Sequence, residues 1–145
     1  MNSNSENSGV GAAFQEKVAA WFTENCRREF VQEKKIAIGE PPKDHKFDIV
    51  AEDNSIVVEC KCYTWTISGN VPSAKMGFAN EAAFYLSFLP NRCEKYIVML
   101  RASHEKRNET LAEYYYRTNK HLLGNTKVAE FDPESNKFRV MGEIT

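Results

Sequence analysis

Phe47-Asp48-Ile49-Val50-Ala51-Glu52-Asp53-Asn54-Ser55-Ile56-Val57-Val58-Glu59-Cys60-Lys61-Cys62 consists of two apolar runs around a polar quartet. Phe47–Ala51 and Ile56–Cys62 are rich in β-branched residues, and Glu52-Asp53-Asn54-Ser55 supplies the turn, so the stretch predicts a β-hairpin. With Asp53 and Asn54 as the loop residues, Val50 falls opposite Val57, Ile49 opposite Val58 and Asp48 opposite Glu59. Val50 and Val57 share one side, and Ile49, Ala51, Ile56 and Val58 share the other. Strands apolar on both sides belong to a sheet covered by helices on both faces.

Asp48, Glu59 and Lys61 interrupt this pattern on a single face, because side chains alternate along a strand and Cys60 and Cys62 point the opposite way. Two opposed carboxylates in an apolar sheet repel each other and lose hydration, which requires a cation or a proton. Their oxygen atoms suit Mg²⁺ or Mn²⁺, ions that polarise phosphate oxygens and activate water. The Lys61 ammonium is placed to orient that water or to offset charge developing at phosphorus.

Outward from the hairpin, Phe14, Val18, Trp21, Phe22 and Cys26 recur at helical spacing and predict a first helix over Val10 to about Glu29, after a polar mobile tail at Met1–Ser8. Phe30–Ile38 has strand composition and stops at Gly39-Glu40-Pro41-Pro42. Ser73–Leu89 predicts a second helix with Phe78, Ala82, Tyr85 and Leu89 inward. Tyr96–Leu100 reads as an interior strand reached by a helical crossover and parallel to a neighbour. Glu105–Leu123 predicts a third helix, with Leu111, Tyr115, Thr118 and Leu122 inward and Gly124 as its stop. Lys127–Phe131 and Lys137–Val140 complete the order αβββαβαββ, a single α/β domain over 9–145 with a central mixed β-sheet flanked by helices.

Asp48, ten intervening residues and then Glu59-Cys60-Lys61, preceded by a helix and followed by a helix and a strand, resembles the PD-(D/E)XK nuclease superfamily, which includes restriction endonucleases and archaeal Holliday-junction resolvases. The resemblance covers roughly Val10 to Leu100 and implies a restriction endonuclease-like fold. It implies that Asp48, Glu59 and the main-chain carbonyl of Cys60 bind Mg²⁺, and that Lys61 serves the attacking water. The implied activity is endonucleolytic hydrolysis of DNA, in preference to RNA, leaving a 5′-phosphate. Phe47 stands where the motif's name has proline, a position that varies in the superfamily. Many members place a metal-supporting glutamate on the first helix. Here the choice is Gln15 or Glu16, and the helical wheel turns Gln15 toward the Phe14, Val18 and Phe22 stripe.

At 145 residues and 42% apolar composition the chain holds one sizeable core. A formal net charge of −1 leaves nucleic-acid binding to a local patch. No apolar run reaches the roughly 20 residues of a membrane span and the start is unlike a signal peptide, so a soluble cytoplasmic protein is expected. Cys26, Cys60, Cys62 and Cys93 lack paired CxxC spacing, which favours free thiols over a zinc site. Asp44-His45-Lys46 reads first as a solvated loop and second as a segment that touches phosphates or takes part in catalysis, and Lys75 as a surface lysine that a phosphate could meet. Glu81 and Tyr85 echo a Gln-xxx-Tyr pattern of some nucleases, with Tyr85 also assigned to the core stripe. Tyr114-Tyr115-Tyr116-Arg117 reads first as amphipathic packing and second as a surface for bases or a partner subunit. The alternative to catalysis is a nuclease-like domain that binds nucleic acid or protein without cutting, and a homodimer or larger complex fits either reading.

Overall fold

The computed structural model describes residues 4–143. Helix α1 spans Asn4–Cys26 and is followed by strands β1 (Phe30–Ile38), β2 (Lys43–Ala51) and β3 (Ile56–Lys61). Helix α2 (Ser73–Leu86), strand β4 (Glu94–Leu100), helix α3 (Leu111–Asn119), a 3₁₀ turn at Lys120–Leu122, and strands β5 (Thr126–Asp132) and β6 (Lys137–Val140) complete the domain. The six strands form one open sheet in chain order. β3, β4 and β5 run parallel, and the remaining neighbours are antiparallel. The chain is therefore a single mixed α/β domain with the expected element order.

The hairpin adopts the expected register, with Ile49 opposite Val58 and Val50 opposite Val57. Its loop differs from a two-residue turn. Ala51 O accepts Asn54 N–H at 2.8 Å, Asn54 takes φ 62°, and Glu52 N–H turns outward to Glu29 O at 3.1 Å. Asparagine tolerates this left-handed backbone better than most residues.

Two cores cover the sheet. α1 lays Phe14, Val18, Ala19 and Phe22 on Ile49, Ala51, Ile56 and Val58. α2 and α3 lay Ala79, Ala82, Leu86, Leu111 and Tyr115 on Val50, Val57, Ile97 and Met99. Each large side chain buried in this way contributes roughly 1.5–3 kcal/mol.

Several boundaries depart from expectation. α1 begins at Asn4 rather than near Gly9, because a helix nucleated by its apolar face gains one hydrogen bond for each polar residue it adds. Met1–Ser3 of the expected tail lie outside the described residues. α1 stops at Cys26, short of Glu29, where Arg27 enters the left-handed region at φ 52°. β2 begins at Lys43 rather than Phe47, and β3 ends at Lys61 rather than Cys62. α3 begins at Leu111, six residues after Glu105, because Thr110 and Glu113 form a reciprocal capping box. Leu122, expected inward, is exposed on the 3₁₀ turn.

The buried arc of α2 consists of Met76, Ala79, Ala82, Ala83 and Leu86, and Phe78 from the predicted stripe is 51% exposed. Small alanines let the helix approach the sheet closely, which turns its phenylalanines outward.

Candidate active site

The site forms where β2 leaves β3. Their ladder ends at the Ile49–Val58 pair. Asp48 then reaches β3 through its side chain, Oδ2 accepting the Cys60 N–H at 2.8 Å. On the other side of β2, the β1 ladder skips Glu33, which holds φ 57° between the Gln32–Ile49 and Lys34–Phe47 pairs. Opposite this step on β2, Phe47 and Ile49, two residues apart, lie in different cores, so the strand turns at Asp48. The resulting V-shaped opening is walled by α1 on one side and α2 on the other.

The cleft has a volume of about 330 Å³, and Gln15, Asp48, Glu59, Lys61 and Glu81 are among its lining residues. Gln15 Nε2 donates to the Asp48 main-chain oxygen at 3.2 Å and to Gln32 Oε1 at 3.1 Å. It therefore ties α1 to the turning point of β2. Glu16 is exposed, as the helical wheel predicts. Because a strand residue presents its N–H and C=O to the same neighbour, the Cys60 carbonyl faces the Asp48 side of β3. The Cys60 side chain packs with the α1 core on the opposite face from Glu59.

Glu59 is only 6% exposed. Burial pushes its pKa up to about 9, reinforced by hydrogen bonding to and charge from Asp48, with Lys61 opposing the shift. Without a bound cation Glu59 therefore keeps its proton at pH 7.

His45 is a site residue that the sequence reading left in solvent. It stands on β2, with Nε2 3.6 Å from Glu59 Oε1. Its ring stacks on Tyr85 at 3.8 Å between centroids and 15° between planes. Burial lowers the His45 pKa despite the nearby Asp48 and Glu81 carboxylates, and Lys61 lowers it further. The ring is therefore neutral at pH 7, and its contact with Glu59 is not an ion pair. The sequence carried little signal for this, because Lys43-Asp44-His45-Lys46 are four polar residues in a row without the apolar alternation that marks a strand.

Tyr85 is half-buried, packing against the α2–α3 core as expected while it also lines the cleft. Lys75 sits outside the cleft, its Nζ 5.2 Å from the centre of the Tyr63 ring. In the tyrosine run, Tyr115 is buried and donates to Asn80 Oδ1 at 2.9 Å. Arg117 holds Glu109 through two bonds of 2.7 and 3.2 Å, so packing accounts for the run. All four cysteines are free. Among the described residues no group of three or more His, Cys, Asp or Glu side chains is arranged to hold a metal. Among the described residues no helix is long and apolar enough to cross a membrane.

No family model, curated protein or solved structure matches the chain. What defines the site is its geometry: a carboxylate pair with an adjacent lysine in a cleft opened by a splayed hairpin.

Proposed function

We propose that the chain is an Mg²⁺- or Mn²⁺-dependent endonuclease domain of restriction endonuclease-like fold that hydrolyses DNA phosphodiester bonds. The observation that carries this reading is the meeting of Asp48, Glu59 and Lys61 in one cleft, with the Asp48 carboxylate anchored on the Cys60 N–H. The donor chemistry fits a hard divalent ion. Asp48, Glu59 and the Cys60 carbonyl would hold it, and water and substrate phosphate would supply the remaining oxygens, as Mg²⁺ ordinarily requires. When bound, the ion supplies positive charge to the scissile phosphate.

The protein's own groups divide the remaining work. Lys61 places an ammonium beside the attacking water and offsets negative charge developing at phosphorus. Gln15 fixes the Asp48 backbone, and neutral His45, stacked on Tyr85, stands beside the Glu59 carboxyl at 3.6 Å. Pairing with a second copy or joining a larger complex would add the contact area that one small domain lacks on duplex DNA.

The test incubates the protein with supercoiled, linear, single-stranded and branched DNA, and with RNA, in Mg²⁺, Mn²⁺ or EDTA. Cleavage is expected with either metal and not with EDTA. Lys61→Ala is expected to cut about a hundredfold more slowly while folding normally, and Gln15→Ala to lose more activity than Glu16→Ala. Failure of the parent to cut any substrate overturns the proposal, and equal rates for parent and Lys61→Ala remove Lys61 from the mechanism.

A further inference from the structure

Where β3 and β4 end, a second cavity adjoins the carboxylate cleft. It has a volume of about 410 Å³, and its walls include Gly11 of α1, Cys60, Cys62, Tyr63, Lys75 of α2 and Leu100 of β4. That volume lies within the usual span of ligand clefts, about 300–1,000 Å³. Gly11, Cys60 and Cys62 line both spaces, so the two form one groove between α1 and α2. β3 and β4 are parallel, and the groove passes outside their carboxyl ends, where open α/β sheets ordinarily take their ligands.

The groove changes character along its length. At the cleft end Asp48, Glu59 and Glu81 face Lys46 and Lys61. In the adjoining cavity Lys75 is the one charged group among the described lining residues, and no acid lines it. From Cys60 to Asn80 the chain carries Lys61 and Lys75 and no aspartate or glutamate. Among the described residues Lys75 forms no ion pair. Its Nζ lies 5.2 Å from the centre of the Tyr63 ring, a cation–π contact that holds the ammonium at the cavity wall. Lys61 approaches the same residue at its hydroxyl. Burial raises the Tyr63 pKa, and the Lys61 ammonium opposes that rise. Two ammonium groups are therefore set along one groove around a single tyrosine, with carboxylates at only one end. A nucleic-acid strand, whose negative charges recur at short intervals, offers a phosphate to each.

We propose that Lys75, held against Tyr63, is the subsite for a phosphate flanking the scissile one, so that the substrate strand runs along the α1–α2 groove with Lys61 at the cut and Lys75 at the flank. This inference rests on the nuclease reading and specifies its substrate, a polynucleotide that continues past the cut on the Lys75 side. The carboxylates of an acidic protein are the competing occupant, and the experiment separates the two.

Parent, Lys75→Ala, Lys75→Arg and Lys75→Glu are compared. Binding of labelled DNA, RNA and polyglutamate is followed by fluorescence anisotropy in EDTA over a series of salt concentrations, and cleavage of the DNA and RNA is measured in Mg²⁺. Lys75 is exposed, so the variants are expected to melt like the parent. Lys75→Ala is expected to weaken nucleic-acid binding about tenfold and to make the slope of log affinity against log salt shallower by about 0.7–0.9, the counterions released by one phosphate. In cleavage its loss lies in KM, whereas that of Lys61→Ala lies in kcat. Lys75→Arg is expected to restore affinity and slope, and Lys75→Glu to weaken binding further. Unchanged affinity in Lys75→Ala overturns the subsite, and so does weaker binding at an unchanged slope, which marks a structural lysine. Polyglutamate bound as tightly as nucleic acid and dependent on Lys75 overturns it in favour of an acidic protein. A Lys75-dependent slope in a parent that cuts nothing overturns the nuclease reading but keeps the phosphate contact. A parent that cuts while Lys75→Ala matches it in KM and slope does the reverse, and a parent that neither binds nor cuts DNA or RNA overturns both.

Discussion

Glu59 is a carboxyl group in a place where the charged form is costly, and that cost sets a pH dependence. In the unfolded chain it releases its proton near its ordinary value of 4.5, whereas in the folded protein it holds the proton to about 9. Between these limits the unfolded state binds fewer protons, so metal-free stability falls as pH rises, by at most about 1.4 kcal/mol per pH unit. Glu59→Gln removes the titrating group. In EDTA the mutant is expected to melt higher than the parent at pH 8, with the gap narrowing toward pH 5. A gap independent of pH would mean that Glu59 is not the group under strain. At this scale the sequence was informative where a rule of alternation applied: Asp48, Glu59 and Lys61 converge as their spacing requires, and Gln15 faces the cleft while Glu16 does not. It was silent on the left-handed backbone of Glu33 in β1, because nothing in Gln32-Glu33-Lys34 signals a positive φ.

Elements were legible where one apolar arc dominated and misleading where two competed. α1 has a single arc through Phe14, Val18 and Phe22. α2 has two, one of alanines with Met76 and Leu86 and one of phenylalanines, and size pointed to the wrong one. Only the close approach of helix to sheet, a tertiary fact, makes the alanines the inner face. The start of α3 was readable and missed: Thr110-Leu111-Ala112-Glu113 is a capping-box sequence, and both of its reciprocal hydrogen bonds are present, Thr110 N–H to Glu113 Oε1 at 2.7 Å and Glu113 N–H to Thr110 Oγ1 at 3.2 Å. Thr110→Ala is expected to destabilise the domain by about 1 kcal/mol while leaving catalysis unchanged, since α3 does not line the cleft. Denaturant melts and the cleavage assay check the two halves separately, and a loss of activity at full stability would contradict the structural role assigned here.

Across the whole molecule, sequential strand order with two parallel crossovers places the β2–β3 hairpin between a helix on either face, and the cleft opens where that hairpin splays. The central claim is that Asp48 and Glu59 form a site for a divalent cation, and thermal melting with EDTA and with titrated Mg²⁺ tests it whatever the substrate. The parent should gain about 1.4 kcal/mol at tenfold above the dissociation constant, through binding to the folded state. Asp48→Asn keeps an oxygen for the Cys60 N–H but removes the charge facing Glu59. It should therefore melt higher than the parent in EDTA and lose most of the Mg²⁺ gain, so that the two titrations approach or cross. Parallel titrations with Asp48→Asn lower throughout would contradict the account and make Asp48 a structural carboxylate.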